Sequence, residues 1–234
     1  MLAASEPPRC FAVVPCAGVG LRAGASGPKQ YAAVGGQSVV AHTLDALNAV
    51  PELSATLVVL APDDTQFEHH APRFAQQRGW AVRQGGATRA ASVGAGLQGL
   101  RERGAADTDW VLVHDAARCM LQPAWVQRLI HACHHDEVGG LLALPLADTL
   151  KHALGGRVDQ TLSRADKWLA QTPQMFRLGL LQRALLQAGD AVTDEASAVE
   201  ALGLKPLLVP GDAENFKLTW PADFALAARL LETR

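Results

Sequence analysis

The chain has 234 residues, of which 49% are hydrophobic, and its formal net charge at pH 7 is −2. This length suits one α/β domain with a full core, and the small negative charge argues against sequence-independent binding to nucleic acid. No segment reaches the ~18 apolar residues of a membrane span, and the cysteines have no zinc-site spacing. We therefore expect a cytoplasmic protein with free thiols and no membrane contact.

Strand-like and helix-like stretches alternate through the first two thirds of the chain. The predicted strands cover residues 11–14, 56–60, 80–83, 110–113 and 140–144. The predicted helices between them cover residues 38–49, 65–78, 90–101 and 123–134, and Ser38 is the expected N-cap of the first. Such alternation indicates a mostly parallel sheet with helices on both faces, in which ligands bind beyond the carboxyl ends of the strands.

The last third of the chain is organised differently. Residues 148–164 read as a polar hairpin around a turn at Gly155 and Gly156, within an arm of approximately 147–166. An isolated hairpin is only marginally stable in water, so we expect the arm to pack on a second copy of the chain. Further helices are predicted at 178–187, 195–202 and 221–231, a strand at 206–209 and a short extended segment at 215–219. We expect residues 1–9 to be a flexible tail and residues 10–234 a single domain.

The first predicted strand runs into a glycine-bearing loop that carries Arg22 and then Lys29. Gly18 and Gly20 let backbone N–H groups approach anionic oxygens, and the two cations add charge, so this loop predicts contact with a polyphosphate. A dinucleotide-binding fingerprint would need a helix at once and a carboxylate about 20 positions later, whereas a Walker A loop would need Gly-Lys-[Ser/Thr]. Neither requirement is met, which leaves a long loop with two separate anion contacts.

Five further segments contain residues that suit the same site. Residues 85–93 place two glycines, Arg89 and Ser92 where a loop enters a helix, which suits contact with a base or a ribose. Residues 114–118 end a buried strand with the carboxylate of Asp115 and the guanidinium of Arg118. The other three segments are 172–174, 193–197 and 215–219.

Together with residues 15–22 and 28–30, these segments closely resemble the 2-C-methyl-D-erythritol 4-phosphate cytidylyltransferase family, over about 11–231. The resemblance implies an α/β, Rossmann-like nucleotidyltransferase fold with three layers, a mostly parallel sheet and a protruding β-hairpin arm exchanged across a homodimer interface. It also implies transfer of the cytidylyl group from CTP to 2-C-methyl-D-erythritol 4-phosphate, with release of pyrophosphate. Cys16 and Cys119 stand where this family usually has alanine and proline, and the predicted strand ends put both thiols beside the pocket.

The resemblance also implies roles for individual residues. The catalytic cations would be Arg22, Lys29, Arg164 and Lys217, the first two stabilising charge at the α-phosphorus and the last two holding the acceptor. The nucleotide-binding residues would be Pro15, Cys16, Ala17, Gly18, Gly20, Gly85, Gly86, Arg89, Ser92, Asp115 and Ala116. The substrate-binding residues would be Asp115, Arg118, Thr149, Arg164, Thr172, Thr193 and Lys217. Mg²⁺ is expected to bind mainly through the CTP phosphates, and no protein ligand set is assigned to it.

The chemistry of this reaction agrees with these residue types. The nucleophile is a phosphate monoester already ionised at pH 7, so the step calls for positioned cations and metal rather than a His-Asp pair. One alternative is a cytidylyltransferase for another sugar-alcohol phosphate, such as ribitol 5-phosphate. Another is a non-catalytic nucleotide-sensing module, which would keep Gly18, Gly20 and Ser92 but would not need Arg164 and Lys217.

Each residue also has a simpler structural interpretation. Asp115 could only cap the turn after its strand, and Thr193 could be the N-cap of the helix that follows it. Arg164 and Lys217, taken alone, would be solvated surface charges. The histidines at 131, 134 and 135 have helical spacing, but an exposed helix face explains them better than a metal site.

Overall fold

The computed structural model describes residues 7–18, 27–189 and 192–233. Its strands are β1 Cys10–Pro15, β2 Ala33–Val34, β3 Gln37–Ser38, β4 Ala55–Val59, β5 Gly79–Val82, β6 Trp110–Val113, β7 Gly139–Pro145, β8 Leu150–Leu154, β9 Arg157–Leu162, β10 Trp168–Arg177 and β11 Leu207–Pro210. Seven of them form one sheet in the order β11-β7-β10-β6-β1-β4-β5. Its strands share one direction except β10, which runs antiparallel to both β6 and β7. The expected mostly parallel sheet is confirmed.

Seven helices flank the strands in the described part of the chain: α1 Val39–Asn48, α2 Phe67–His70, α3 Arg89–Glu102, α4 Pro123–Cys133, α5 Leu178–Ala188, α6 Glu195–Glu200 and α7 Pro221–Leu231. They lie on both faces of the sheet because side chains alternate along each strand. In β1, Val14 belongs to a buried cluster with Leu44 of α1 and Leu129 of α4. The next side chain along, Val13, belongs to a second cluster with Leu97 of α3. This arrangement confirms three layers.

The start of α1 follows its sequence signal. The Ser38 side chain accepts a hydrogen bond from the backbone N–H of Ala41 at 3.2 Å, as an N-cap residue does. The cap satisfies one of the backbone donors that a helix start leaves without an intrahelical partner. The predicted N-cap is therefore confirmed.

The helix predicted at 65–78 is wrong. The segment contains the short α2, which ends at His70, and then a separate 3₁₀ helix over Pro72–Gln76. Pro72 causes the break, because its ring disfavours a helical conformation at the preceding residue and it has no N–H to donate. Ala71 accordingly has φ −132° and ψ 56°, outside the helical region.

The strand β10 has no counterpart among the predicted elements. Pro173 lies in the middle of it, and a proline there argues against a central strand. The sheet accommodates the proline through a shift in the β10–β7 register between Ala170 and Gln174. Conversely, the extended segment predicted at 215–219 forms no strand, and there the N–H of Leu218 donates to the carbonyl of Ala117 at 2.9 Å.

The polar hairpin at the start of the last third is present. β8 and β9 pair antiparallel around Gly155 and Gly156, whose φ angles of 57° and 77° suit a tight hairpin turn. Leu154 and Val158 beside this turn are 73% and 64% exposed. The chain itself therefore leaves apolar side chains of the hairpin in solvent.

The two ends of the sheet differ in what they carry. At the amino end of β6, Asp109 accepts hydrogen bonds from the Arg9 guanidinium at 2.7 and 3.2 Å. At the opposite end, the loops after β1, β5 and β6 carry Cys16, Gly86 and Asp115, which belong to the predicted site. No helix within the described ranges is long and apolar enough to span a bilayer.

Candidate active site

A cavity of about 420 Å³ lies beyond the carboxyl ends of β1 and β6. Its walls come from the loops after these strands, from the start of α3 and from the segment before α7. The lining residues are Pro15, Cys16, Ala17, Gly18, Lys29, Gln30, Gly86, Ala87, Thr88, Arg89, Ser92, Asp115, Ala116, Ala117 and Lys217. The structure thus brings together most of the residues predicted to bind the nucleotide, as expected for an open α/β sheet.

Backbone contacts hold the glycine-bearing loop against its neighbours. The N–H of Cys16 donates to the carbonyl of Val59 at 2.8 Å, and the Gln30 side-chain amide donates to the carbonyl of Cys16 at 3.0 Å. Gly85 lies so close to this loop that a Cβ there would be 2.3 Å from the Cβ of Ala17. A glycine is therefore required at 85 for the two loops to meet. Gly85 itself is behind the cavity wall rather than among the lining residues.

Ser92 shapes the entry into α3. Its hydroxyl accepts a hydrogen bond from the N–H of Gly86 at 3.1 Å and is 3.1 Å from the carbonyl of Thr88. The Thr88 side chain in turn accepts from the N–H of Ala91 at 3.1 Å and caps the helix. The loop of Gly86 is consequently fixed in the wall of the cavity.

Asp115 is the centre of charge in the cavity. Its residue is 7% exposed, and its Oδ1 accepts from Arg89 Nε at 2.8 Å while its Oδ2 accepts from Lys217 Nζ at 2.7 Å. A third cation, the Arg118 guanidinium, lies 3.9 Å from Oδ2. Asp115 therefore does more than cap a turn, because it joins cations from the start of α3, from its own loop and from the segment before α7.

These pairings set the ionisation of Asp115. Burial alone would raise the pKa of this carboxyl, but the charges of Arg89 and Lys217 outweigh burial and hold it well below the usual range. His114, one residue earlier, is fully buried, and burial lowers its pKa to about 4. At neutral pH the strand end therefore carries an ionised aspartate beside a neutral histidine.

The two lysines of the cavity are held by different groups. Lys29 Nζ donates to the carbonyl of Leu218 at 2.9 Å, and Leu218 is the neighbour of Lys217 in the chain. Lys29 is thus tied to the segment that carries Lys217, and both lysines line the cavity although they lie far apart in sequence.

Arg118 and Thr172 lie beneath Asp115 rather than in the cavity wall. Arg118 Nη1 donates to the carbonyl of Asn215 at 2.6 Å, and the Thr172 hydroxyl accepts from the N–H of Asp115 at 3.1 Å. Asn215 is itself buried and donates to the carbonyl of Thr172 at 2.8 Å. These contacts fix the loop that presents Asp115.

Several predicted site residues lie elsewhere. Thr149 and Arg164 are exposed in the hairpin arm, and no hydrogen bond or ion pair among the described residues joins either side chain to the cavity. Thr193 is exposed, and the alternative that it caps α6 is wrong because Asp194 is the N-cap, its side chain accepting from the N–H of Ser197 at 2.9 Å. Gly20 and Arg22 lie outside the described residues.

The expectation that two cysteines lie beside the pocket is wrong for Cys119. Both cysteines are buried, but Cys16 is among the lining residues of the cavity, whereas Cys119 lies in an apolar cluster with Met120 and Leu218. The sequence gives no sign of this difference, because both cysteines follow strands. Burial raises the pKa of the Cys16 thiol, so it is a poor nucleophile at neutral pH.

Sequence reasoning missed Glu195, the first residue of α6. This side chain is fully buried, and its two oxygens accept from Arg89 Nη1 at 2.6 Å and Nη2 at 3.0 Å. Burial raises the pKa of Glu195, and Arg89 opposes this effect. An acidic residue in a first helical turn is common, so nothing local marked it as the partner of Arg89.

Within the described residues, no group of three or more His, Cys, Asp or Glu side chains is arranged to hold a metal ion. Asp115 is the one carboxylate among the lining residues of the cavity, and its oxygens face Arg89 and Lys217. A divalent ion would therefore need most of its ligands from a bound phosphate compound, which is how Mg²⁺ commonly binds.

Comparison with known proteins gives a consistent result. The model of the family described as "IspD: 2-C-methyl-D-erythritol 4-phosphate cytidylyltransferase" matches residues 10–233. A 2-C-methyl-D-erythritol 4-phosphate cytidylyltransferase of Laribacter hongkongensis is 57% identical over 226 residues, which cover 95% of this chain and 96% of the relative. A bifunctional enzyme IspD/IspF of Albidiferax ferrireducens is 60% identical over 227 residues, but this chain spans only 54% of its length.

A solved structure agrees in fold. The crystal structure of a 4-diphosphocytidyl-2C-methyl-D-erythritol synthase superposes with a TM-score of 0.84 at 44% sequence identity. The match covers 96% of this chain and 98% of that one. This chain therefore shares its fold with nearly the whole length of a similar protein.

The pairing of Asp115 makes a prediction about stability. Asp115→Asn should lower the free energy of unfolding by about 3 kcal/mol at pH 7, because Arg89 and Lys217 lose their counter-charge. A carboxyl whose pKa is lowered by folding stabilises the protein above its unfolded pKa of about 3.9, and this contribution is lost as the pH falls through its folded pKa. The difference in the free energy of unfolding between wild type and Asp115→Asn, measured in urea, should therefore be smaller at pH 3 than at pH 7.

Asp107→Asn is the matched control. Asp107 also pairs with an arginine, Arg101, but its side chain is 69% exposed. Asp107→Asn should lower the free energy of unfolding by less than about 1 kcal/mol at either pH. If Asp115→Asn lowers the free energy of unfolding by the same amount at pH 7 and pH 3, the lowered pKa assigned to Asp115 is wrong.

Proposed function

The chain belongs to the 2-C-methyl-D-erythritol 4-phosphate cytidylyltransferase family, and from this premise we propose how its cavity carries out the family's reaction. The enzyme transfers the cytidylyl group of CTP to 2-C-methyl-D-erythritol 4-phosphate, forming 4-diphosphocytidyl-2-C-methyl-D-erythritol and pyrophosphate. The observation that carries the proposal is the group of charges around Asp115, where Arg89 and Lys217 meet one carboxylate beside Lys29.

The reaction joins two anions, so its main obstacle is charge repulsion. An oxygen of the acceptor phosphate attacks the α-phosphorus of CTP, and the bond from that phosphorus to the bridging α–β oxygen breaks. Pyrophosphate leaves with the electron pair of that bond. Because the acceptor monoester is already largely ionised at pH 7, the step needs no general base. Positioned positive charge is then the chief contribution of the protein.

We assign the nucleotide to the loops after β1, β5 and β6. Lys29 and Arg22 would stabilise the negative charge that grows around the α-phosphorus. The residues assigned to the rest of CTP are Pro15, Cys16, Ala17, Gly18, Gly20, Gly86, Arg89, Ser92, Asp115 and Ala116, together with Gly85, which would act by letting its loop pack against Ala17. The fixed loop of Gly86 and Ser92 in the cavity wall supports a position for the base and the ribose beside it.

The acceptor is assigned to the side of the cavity that carries Lys217. The Lys217 side chain is half exposed while its partner Asp115 is buried, so the ammonium can turn toward an incoming phosphate while Arg89 keeps the aspartate compensated. Arg118 and Thr172 would act by holding Asp115 toward the acceptor. Thr193, on the loop before α6, is assigned to the acceptor hydroxyls.

Mg²⁺ is proposed as the cofactor, held mainly by the phosphates of CTP. When bound, it would neutralise part of the triphosphate charge. The donor set of the cavity fits this mode, because its one carboxylate is already opposed by cations and leaves the phosphates as the principal ligands. We assign no protein cage to the ion.

The hairpin arm is proposed to reach the site of a second copy of the chain. Its apolar residues Leu154 and Val158 are largely exposed in the described part of their own chain, and a two-stranded hairpin alone is marginal in water. An exchanged arm in a homodimer would cover them and deliver Thr149 and Arg164 to the partner's acceptor pocket. We further propose a cytoplasmic protein, which suits its four free cysteines.

A pyrophosphate-release assay tests the reaction and its acceptor. Purified protein with Mg²⁺ should release pyrophosphate with CTP and 2-C-methyl-D-erythritol 4-phosphate, and much more slowly with ribitol 5-phosphate or with other nucleoside triphosphates. The expected preference follows from the family. Faster release with ribitol 5-phosphate would assign the enzyme to another acceptor, and nucleotide binding without release would favour a sensing module.

The role of the loop cations can be tested separately. Lys29→Ala or Arg22→Ala should lower kcat by about 10²-fold or more, since removal of one preorganised charge stabiliser has this effect. Lys205→Ala, a lysine outside the cavity just before β11, is the control and should keep its turnover. Thermal unfolding checks that all three variants fold. Near-normal turnover in Lys29→Ala would refute its assigned role.

The exchanged arm predicts complementation between two inactive variants. In a mixture of Arg164→Ala and Lys29→Ala chains, random exchange makes half of the dimers mixed, and each mixed dimer has one intact site of two. Activity should therefore return to roughly a quarter of the wild-type level. If mass spectrometry shows mixed dimers while activity stays at the level of the separate variants, Arg164 does not serve the partner's site.

A further inference from the structure

Glu195 forms the inner end of a row of alternating charges that leads to the cavity. Its two oxygens are 2.6 and 3.0 Å from the terminal nitrogens of Arg89, whose Nε is 2.8 Å from Asp115. Asp115 in turn is 2.7 Å from Lys217. The row therefore runs from a fully buried carboxylate in α6 to an ammonium group at the cavity surface.

The geometry of Arg89 depends on Glu195. A guanidinium is planar and offers its N–H groups in a fixed fork, so a carboxylate that takes both terminal nitrogens fixes its rotation. Of the N–H groups of Arg89, the one at Nε is then directed at Asp115. With Oδ1 of Asp115 held in this way, Oδ2 is presented to Lys217 and to the cavity.

The start of α6 does not need Glu195. Asp194 caps this helix, and the Ser197 side chain accepts from the N–H of Asp194 at 3.2 Å, so a capping box is already complete. A buried ion pair, moreover, is a weak source of net stability because both charges lose their hydration. Neither helix capping nor stability alone therefore accounts for a carboxylate at this position.

We propose that Glu195 is a positioning residue for cytidylyl transfer, which fixes Arg89 so that Asp115 and Lys217 face the reacting phosphates in one arrangement. This inference rests on the proposed function. Without the charge of Glu195, the guanidinium of Arg89 can rotate and donate to both oxygens of Asp115. Lys217 then loses the oxygen with which it pairs. Displacement of a charge by about 1 Å from its productive position can cost on the order of 10²-fold in rate.

Two substitutions separate charge from shape. Glu195→Gln keeps the size of the side chain, but it removes the charge and turns an NH₂ group toward a donor nitrogen of Arg89. Glu195→Asp keeps the charge on a shorter side chain and leaves a small gap. If Glu195 positions Arg89 by its charge, Gln should lower kcat/KM by about 10- to 100-fold, and Asp should retain clearly more activity than Gln. If Glu195 only fills space, Glu195→Gln should be more active than Glu195→Asp.

Asp109→Asn is the matched control for the loss of a buried carboxylate that pairs with an arginine. Asp109 is 3% exposed and holds the Arg9 guanidinium at 2.7 and 3.2 Å, at the opposite end of the sheet from the cavity. It should lose stability but keep the wild-type kcat and KM. Each variant is assayed for pyrophosphate release below its own Tm, with the folded fraction measured by circular dichroism.

The outcomes are distinct. A Glu195→Gln protein with the kcat/KM of wild type, or an Asp variant less active than the Gln variant, would overturn the inference while the proposed function stands. The same holds if Asp109→Asn loses as much activity as Glu195→Gln. A wild-type protein that releases no pyrophosphate would instead overturn the proposed function, and this inference with it. If the Gln variant does not fold, an Asp variant below one tenth of wild-type kcat/KM overturns the inference.

Discussion

The cavity depends on the compensation of one buried carboxylate. Asp115 lies at the end of β6, where removing its charge from water is costly unless cations and hydrogen bonds replace the solvent. Arg89 at the start of α3 and Lys217 in the segment before α7 supply the cations, and the hydroxyl of Thr172 in β10 accepts from its backbone N–H. The electrostatic requirement of a single residue thus draws three distant segments to one strand end.

Compensation of Asp115 also leaves an excess of positive charge around the cavity. Among the described residues, the three cations Arg89, Arg118 and Lys217 are grouped with two carboxylates, those of Asp115 and Glu195. A cleft with such an excess and with low-dielectric walls attracts anions more strongly than the same charges would in open solvent. This explains how a chain with a net charge of −2 can be suited to two phosphate substrates.

The features that could be predicted from sequence are those with local causes. The cap at Ser38, the turn at Gly155 and the strand ends that carry the site residues each depend on a few neighbouring residues. The antiparallel β10 could not be recognised, because Pro173 argues locally against a strand and only the register shift against β7 accommodates it. The pair of Arg89 and Glu195 was hidden for a similar reason, since its members are 106 positions apart.

Such long-range contacts make the site a property of the complete fold. Lys29 donates to the carbonyl of Leu218, 189 positions later, so the first loop and the last segment close the cavity together. Loop closure over such distances costs entropy that local structure cannot offset, and the contacts form only when the sheet and its helices are packed. The placement of the charges therefore follows from packing of the sheet, whereas the charged residues themselves, apart from Glu195, could be named from the sequence.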